Sequence, residues 1–250
     1  MQKKIAVIND LSGYGRCSLT VAIPVLSAMG HQCCPIPTAI LSNHTEFPVY
    51  FFDDYTEKMT TYTDKWKELG LSFDAIATGF LGSEAQIGIV MEIVQKLKAE
   101  KTFVVVDPVM GDHGHAYETY TPEMCEQMKE LVCMADVVLP NVTECCILTD
   151  TPYKEENWTR KELLNMAMML RLMGAKSVVI TGVREGSCYT NVVLEQGQYD
   201  AKFIRTRSSG GERPGTGDVF SSVVAGALLN RKSLPEAVSQ AAGFVKEWIK

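Results

Sequence analysis

The sequence is poor in long apolar runs: nothing in it approaches the roughly 18 uninterrupted residues of a membrane-crossing helix. Its N-terminus reads MQKKIAVIND and meets Asp10 shortly after the apolar stretch Ile5–Ile8. That stretch is too short for the core of a signal peptide and reads instead as a first strand, so a cytoplasmic protein without membrane contact is expected. There is no long Lys/Arg cluster, and the formal net charge is -6. An acidic chain of this kind is a poor partner for nucleic acid or an anionic surface. An anionic ligand would have to be met locally, by backbone amides or one or two basic side chains. The eight cysteines contain no C-x-x-C. Their adjacent pairs, Cys33-Cys34 and Cys145-Cys146, read as lying on opposite faces of a strand. That suits neither a disulfide framework nor a zinc site, so reduced, mostly buried thiols are expected. Internal repeats and low-complexity linkers are also missing, which points to one domain over residues 1–250.

What is present is 250 residues, 46% of them hydrophobic, enough for a sizeable core. Short β-rich runs at Ile5–Ile8, Ala75–Thr78, Phe103–Val106, Val137–Leu139 and Val178–Ile180 alternate with helix-period stretches. Those stretches are Leu19–Met29, Ala85–Ala99, Pro122–Met134 and Arg160–Met173. The strand runs are continuous rather than alternating, as in strands buried on both faces. The order predicts right-handed βαβ units and a mostly parallel α/β sheet with helices on both faces. Residues 187–207 differ and predict an antiparallel hairpin at the sheet edge. Two helices follow, Gly217–Asn230 and Leu234–Lys250, the second opened by Ser233 and Pro235.

The segment Ser208–Leu229 carries the most chemistry. Gly215-Thr216-Gly217 runs directly into an apolar, small-residue helix. Glycines let successive N–H groups aim at one point, and the helix N-terminus adds partial positive charge there. Asp218, in the first turn, would accept a proton from a hydroxyl attacking a phosphoryl group held in that cradle. The plainer reading, a carboxylate complementing a helix dipole beside a turn, carries equal weight on local sequence alone. Three further places fall just beyond strand ends, where open α/β sheets build their sites: Asp107 and Asp112, Asn141 and Glu144, and Thr181-Gly182. Acidic groups and an amide oxygen at such positions suit a magnesium-bound nucleotide, although singly each reads as a cap or a loop residue.

Asn141-x-x-Glu144, Thr181-Gly182 and Gly215-Thr216-Gly217-Asp218 together resemble the ribokinase-like superfamily. Ser42-Asn43-His44-Thr45, Thr78-Gly79-Phe80-Leu81-Gly82 and Asp107-Pro108-Val109-Met110-Gly111-Asp112 are similar to the pyridoxal (pyridoxine, pyridoxamine) kinases, in order along the chain. The resemblance implies a three-layer sandwich and an ATP-dependent phosphorylation of the 5′-hydroxymethyl group of a B6 vitamer. It implies Asp218 as base and the amides of Gly215, Thr216, Gly217 and Asp218 as anion hole. Asp107 and Glu144 would serve Mg2+, with Asn141, Asp112, Thr181 and Gly182 on the nucleotide and Asp10, Thr45 and Phe80 around the pyridine. It further implies a homodimer and leaves a monovalent cation such as K+ open. Many such kinases have Ser where this chain has Asp10 and Tyr where it has Phe80; an acid facing the ring suits a protonated nitrogen or an amino group. The chain stops at Lys250, where relatives of this kind usually continue, so a short member or a truncated one is expected.

Three other readings stand beside this one. Gly13-Tyr14-Gly15-Arg16-Cys17-Ser18 approximates a dinucleotide fingerprint, but the second strand, taken to end at Ile36-Pro37-Thr38, offers no acid for a ribose. A hydroxymethylpyrimidine kinase needs the same machinery with an aminopyrimidine pocket. A vitamer-binding protein without catalysis would have no use for Asp218. Among isolated residues, His44 reads as a substrate contact or a backbone-held loop residue. Arg213 reads as a phosphate contact or a free surface charge, His31 as part of a helix ending after Gly30. His113 and His115 lie in a loop that would close over the site.

Overall fold

The computed structural model describes residues 2–208, 210 and 213–250. In chain order the elements are β1 (Lys4–Tyr14), α1 (Ser18–Ala28), β2 (Gln32–Asn43), β3 (Phe52–Asp54), α2 (Thr56–Glu68) and β4 (Ala75–Thr78). Next come α3 (Glu84–Leu97), β5 (Phe103–Val106), β6 (Gly111–Asp112), β7 (His115–Ala116), α4 (Pro122–Cys133), β8 (Val137–Val138) and α5 (Val142–Thr149). The last are α6 (Arg160–Met173), β9 (Ser177–Glu185), β10 (Cys188–Leu194), β11 (Lys202–Arg207), α7 (Thr216–Leu229) and α8 (Leu234–Trp248).

Among the described residues one large sheet has the order β11-β10-β9-β8-β5-β4-β1-β2-β3, and β6 pairs with β7 in a small separate hairpin. The strands from β2 through β9 in that order are parallel. β10 and β11 turn back antiparallel at one edge and β3 at the other. The two-residue period of β1 explains the layers. Ile5 and Val7 join the core packed with α1, α7 and α8, whereas Ala6 and Ile8 join the core built with α2 to α6. The expected α/β sandwich is therefore present, and its central strands are apolar throughout because helices cover both faces.

Several local readings are corrected. β2 does not end at Thr38 but runs to Asn43, through Pro35 and Pro37. It tolerates them because β3 pairs only with Ala39–Leu41, leaving the prolines on an open edge. Beyond Ile8, β1 has lost β4 and pairs only with β2, with a register irregularity between Asn9 and Leu11. The ends of β1 and β2, with β3, thus form a flap that projects past the parallel sheet. Cys145-Cys146 lie in helix α5, not in a strand, since Asn141 and Glu144 close a capping box there. All eight cysteines are free. Among the described residues no helix is long and apolar enough to cross a membrane.

Candidate active site

The ends of β4 and β5, and Asn9 where β1 parts from β4, meet the N-terminus of α7, with Glu144 of α5 beside Asp107, in a crevice of the kind where open α/β sheets place ligands. Thr181-Gly182 do not end their strand as expected but lie within β9, which runs on to Glu185 against β10. Ser209, Gly211 and Glu212 of the glycine-rich segment lie outside the described residues. Gly215 caps α7 at φ 80, and a Cβ there would overlap the Arg16 carbonyl oxygen. Only glycine fits this left-handed, crowded position. The N–H groups of the first turn have no intrahelical acceptors, so Thr216, Gly217 and Asp218 present donors to the crevice.

The Asp218 carboxylate is held from two sides. Asn9 Nδ2 donates to its Oδ1 at 2.9 Å, and the backbone N–H of Ser18 donates as well. Ser18 has φ 54, a left-handed conformation that is unusual for a serine and points its N–H at the acid. Burial dominates these bonds and, with the nearby Asp10 charge, raises Asp218 to about 6. A cavity of about 20 Å³ lies behind the carboxylate, bounded in part by Asn9, Thr78, Gly79 and Ser222. That volume admits one water, and the buried Thr78 hydroxyl on its wall has no partner among the described residues.

Asp107 continues the ladder beyond β5, its N–H bonded to the Thr78 carbonyl at 3.1 Å. Burial and then the Asp218 charge push it up to about 7, against a hydrogen bond from Ser221. Glu144 is buried, and burial followed by the Asp107 charge holds it well above the carboxylate range. Both its oxygens are engaged: Oε2 accepts from Asn141 N at 2.7 Å and Oε1 from Met110 N at 3.1 Å. Asn141 returns the bond through Oδ1 to Glu144 N at 2.9 Å, and its Nδ2 donates to the Gly111 carbonyl at 2.8 Å. The capping role and the site position thus belong to the same residues. Thr143 Oγ1 accepts from Gly114 N at 2.9 Å, fixing the β6–β7 hairpin over α5. Asp112, exposed on that hairpin, accepts the His113 N–H at 2.8 Å and adds its charge to Glu144. Thr181 N donates to the Pro140 carbonyl at 2.8 Å, and Gly182, at φ 69, donates to Asn191 Oδ1 at 3.2 Å.

At the other end, Asp10 is buried and accepts from Ser12 Oγ at 2.9 Å and from the Ser18 hydroxyl. Burial nevertheless raises it above the usual carboxylate range. Phe80 is fixed through its backbone: its N–H donates to Asn9 Oδ1 at 2.9 Å and its carbonyl accepts from Thr38 Oγ1 at 3.1 Å. Thr45 is exposed in the turn after β2, on the flap. His44 beside it packs against Phe47 with centroids 4.6 Å apart, and its ring occupies the space that a Cβ on Gly15 would need.

Gly13 and Tyr14 are still in strand β1, Tyr14 opposite Asn43, so the G-x-G there is not the strand-to-helix turn a dinucleotide needs. Arg213 donates from Nε to the Ile249 carbonyl at 3.2 Å, at the end of α8. His31 is buried, with Nε2 2.9 Å from the Gly226 carbonyl oxygen, and so packs rather than merely ending a helix. Sequence reasoning passed over Asn9, Ser18, Ser221 and Tyr117. The Tyr117 phenol is raised by burial and then by Glu144, Asp112, Asp107 and Asp218, so it stands amid the acids. Asn9 alone had a usable signal, as a polar residue beside Asp10 just past a strand's apolar run.

The family described as phosphomethylpyrimidine kinase matches residues 22–250. A Bacteroides thetaiotaomicron protein assigned as a phosphomethylpyrimidine kinase, solved in a form with pyridoxal, is 42% identical with a TM-score of 0.92. The match covers 98% of this chain and 86% of that one. The pyridoxal kinase of Dictyostelium discoideum is 27% identical over 243 residues, 90% of this chain and 78% of its own length. The hydroxymethylpyrimidine/phosphomethylpyrimidine kinase of Aquifex aeolicus is 32% identical over 172 residues, 68% of this chain and 66% of its own.

Proposed function

The chain belongs to the phosphomethylpyrimidine kinase family, and from that premise we propose that it phosphorylates the 5′-hydroxymethyl group of a B6 vitamer with ATP. The observation that carries the reading is Asp218: a half-buried, two-donor carboxylate, raised to about 6, in the first turn of the helix capped by Gly215. At neutral pH it is largely ionised yet still basic enough to accept a proton. The acceptor oxygen attacks the γ-phosphorus, the bond to ADP breaks, and the hydroxyl proton passes to Asp218. The N–H groups of Thr216, Gly217 and Asp218, beside the Gly215 turn, receive the negative charge that spreads over the transferring group. Asn141, Asp112, Thr181 and Gly182 are assigned to the nucleotide, and Asp10, Thr45 and Phe80 to the acceptor ring.

Asp107 is the residue to hold Mg2+, with Glu144 acting through water because its oxygens already serve backbone N–H groups. The fit rests on the donor set: the half-buried Asp107 and the buried Glu144, each held high by desolvation and a neighbouring acid, suit a hard divalent cation. When bound, the ion neutralises phosphate charge. A monovalent cation such as K+ belongs to the proposal without an assigned residue. The proposal also takes the protein as a cytoplasmic homodimer. Exposed Val49, Phe51 and Phe52 on and beside the flap support an apolar contact between copies.

A second reading, hydroxymethylpyrimidine kinase, is favoured by Asp10, an acid at the acceptor end that suits an aminopyrimidine. ADP release measured with pyridoxal, pyridoxamine, pyridoxine and hydroxymethylpyrimidine separates the two. Asp218→Asn is expected to lower turnover by about a hundredfold or more. Full activity in that variant would remove Asp218 as base, and vitamer binding without any turnover by the wild type would leave a binding protein.

A further inference from the structure

Asn9 closes the fully parallel part of β1 and is only 5% exposed. Both ends of its carboxamide are used. Nδ2 donates to Asp218 Oδ1 at 2.9 Å, while Oδ1 accepts from Phe80 N at 2.9 Å and from Asp10 N at 3.0 Å. The network itself fixes which end is which, because a carboxylate demands a donor and two N–H groups demand an acceptor. The Thr78-Gly79-Phe80 turn is shaped around the side chain, since a Cβ on Gly79 would overlap the Asn9 amide nitrogen.

We propose that Asn9 is a positioning residue that couples the acceptor pocket to the base: one rigid carboxamide registers the Phe80 and Asp10 backbone and, from its opposite end, aims Asp218. This rests on the reading of Asp218 as the base. The amide group is planar, so its oxygen and nitrogen move together. A shift of the Phe80 or Asp10 backbone on acceptor binding therefore turns Nδ2 and the carboxylate bonded to it. The second donor on Asp218, the Ser18 N–H, comes from α1; its hydroxyl bonds the Asp10 carboxylate, so Ser18 also ties Asp10 to Asp218, whereas the Phe80 N–H reaches Asp218 through Asn9. Misdirecting a catalytic group by a fraction of an ångström slows the chemical step more than it weakens binding. Coupling through Asn9 hence shows in kcat before KM.

The test uses steady-state ADP release with whichever of pyridoxal, pyridoxamine, pyridoxine and hydroxymethylpyrimidine the wild type turns over fastest. Asn9→Asp keeps the size and the acceptor oxygen but replaces the donor facing Asp218 with a second oxygen. It is expected to lower kcat about tenfold to a hundredfold, with the acceptor KM within about threefold of wild type. Asn9→Ala, which loses both ends, should lower kcat and raise KM together. Gly79→Ala displaces the carboxamide without altering it and should reproduce the loss in kcat; it also serves if Asn9→Ala fails to fold by circular dichroism. A folded Asn9→Asp with kcat within twofold of wild type, or with its loss confined to KM, overturns the inference. If Asp218→Asn is inactive while Asn9→Asp is fully active, only the positioning role falls. If Asp218→Asn is active, the base assignment falls with it.

Discussion

Asp107, just past β5, lies close enough to Asp218, in the first turn of α7, that the Asp218 charge adds to burial in raising Asp107 to about 7. Its ordinary value is 3.8, so the folded chain binds the Asp107 proton more tightly than the unfolded chain does. Such a group stabilises fully below its unfolded value and loses that contribution as pH rises through the folded one. Asp218, raised to about 6, acts in the same direction. The nucleotide-free protein in chelator is therefore expected to lose Tm from about pH 4 to pH 7. Asp107→Asn should flatten that decline, melting several degrees above wild type at pH 8 and near it only below about pH 4. Added Mg2+ should raise the wild-type Tm at pH 8 and leave the variant unmoved. Scanning fluorimetry across that range checks all three expectations.

The two glycines that flank Thr216 are not equivalent. Gly215 combines φ 80 with the Arg16 carbonyl against its Cα, while a Cβ at Gly217 meets nothing within 4 Å. Gly215→Ala should cost on the order of 1–3 kcal/mol of stability and distort the anion cradle, with a large loss in kcat. Gly217→Ala should melt close to wild type. Equal melting temperatures for the two variants would show that the turn relaxes and that the cradle is not held as described.

Asn141 caps α5, donates to the Gly111 carbonyl and closes a box with Glu144. Thr159 closes a comparable box on α6 with Glu162. Losing either cap side chain should cost about 0.5–2 kcal/mol. Asn141→Ala should also raise the KM for magnesium-ATP, because the Asp112-bearing hairpin and Glu144 lose their anchor. Thr159→Ala should leave that KM unchanged. If both variants behave alike in kinetics, Asn141 is a cap and nothing more.

How far these features can be read from sequence depends on the range over which each is determined. β4 and β5 appear with the expected ends because continuous Val/Ile/Ala runs have one comfortable place, between two helical layers. α6 is bounded as expected, from Arg160 to Met173, since Thr159 and Gly174 cap it locally. Sequence alone ends β2 at Thr38, because Pro35 and Pro37 signal a break unless the edge is known to be bare. β3 and α2 give no sequence signal: a three-residue edge strand and a largely polar helix leave little apolar pattern. Asp107 and Glu144 are legible because each follows an apolar strand run, and Asp218 because a glycine turn opens its helix. Asn9 follows such a run too, but its partner is not legible, since Asp218 lies 209 positions away.

Asp10 tests the acceptor assignment. Its buried carboxylate takes hydroxyl donors from Ser12 and Ser18, which leaves acceptor capacity unfilled on two oxygens. Burial without a cationic partner raises its affinity for a proton or an N–H donor. An acceptor that brings an amino group or a protonated ring nitrogen satisfies that need, whereas an aldehyde brings only another acceptor. The wild type is therefore expected to favour pyridoxamine or the aminopyrimidine over pyridoxal in kcat/KM. A hydrogen bond to a charged group contributes about 1.5–3 kcal/mol, so Asp10→Ser should shrink the preference by about tenfold to a hundredfold. The change should fall mainly on KM, because the proposed function assigns Asp10 to the acceptor ring and not to the proton transfer. Asp10→Ser should also melt no lower than wild type at pH 8, since it removes a buried charge that hydroxyls only partly satisfy. A vitamer ratio unchanged by Asp10→Ser would mean that the carboxylate braces the start of α1 through Ser18 and does not read the acceptor.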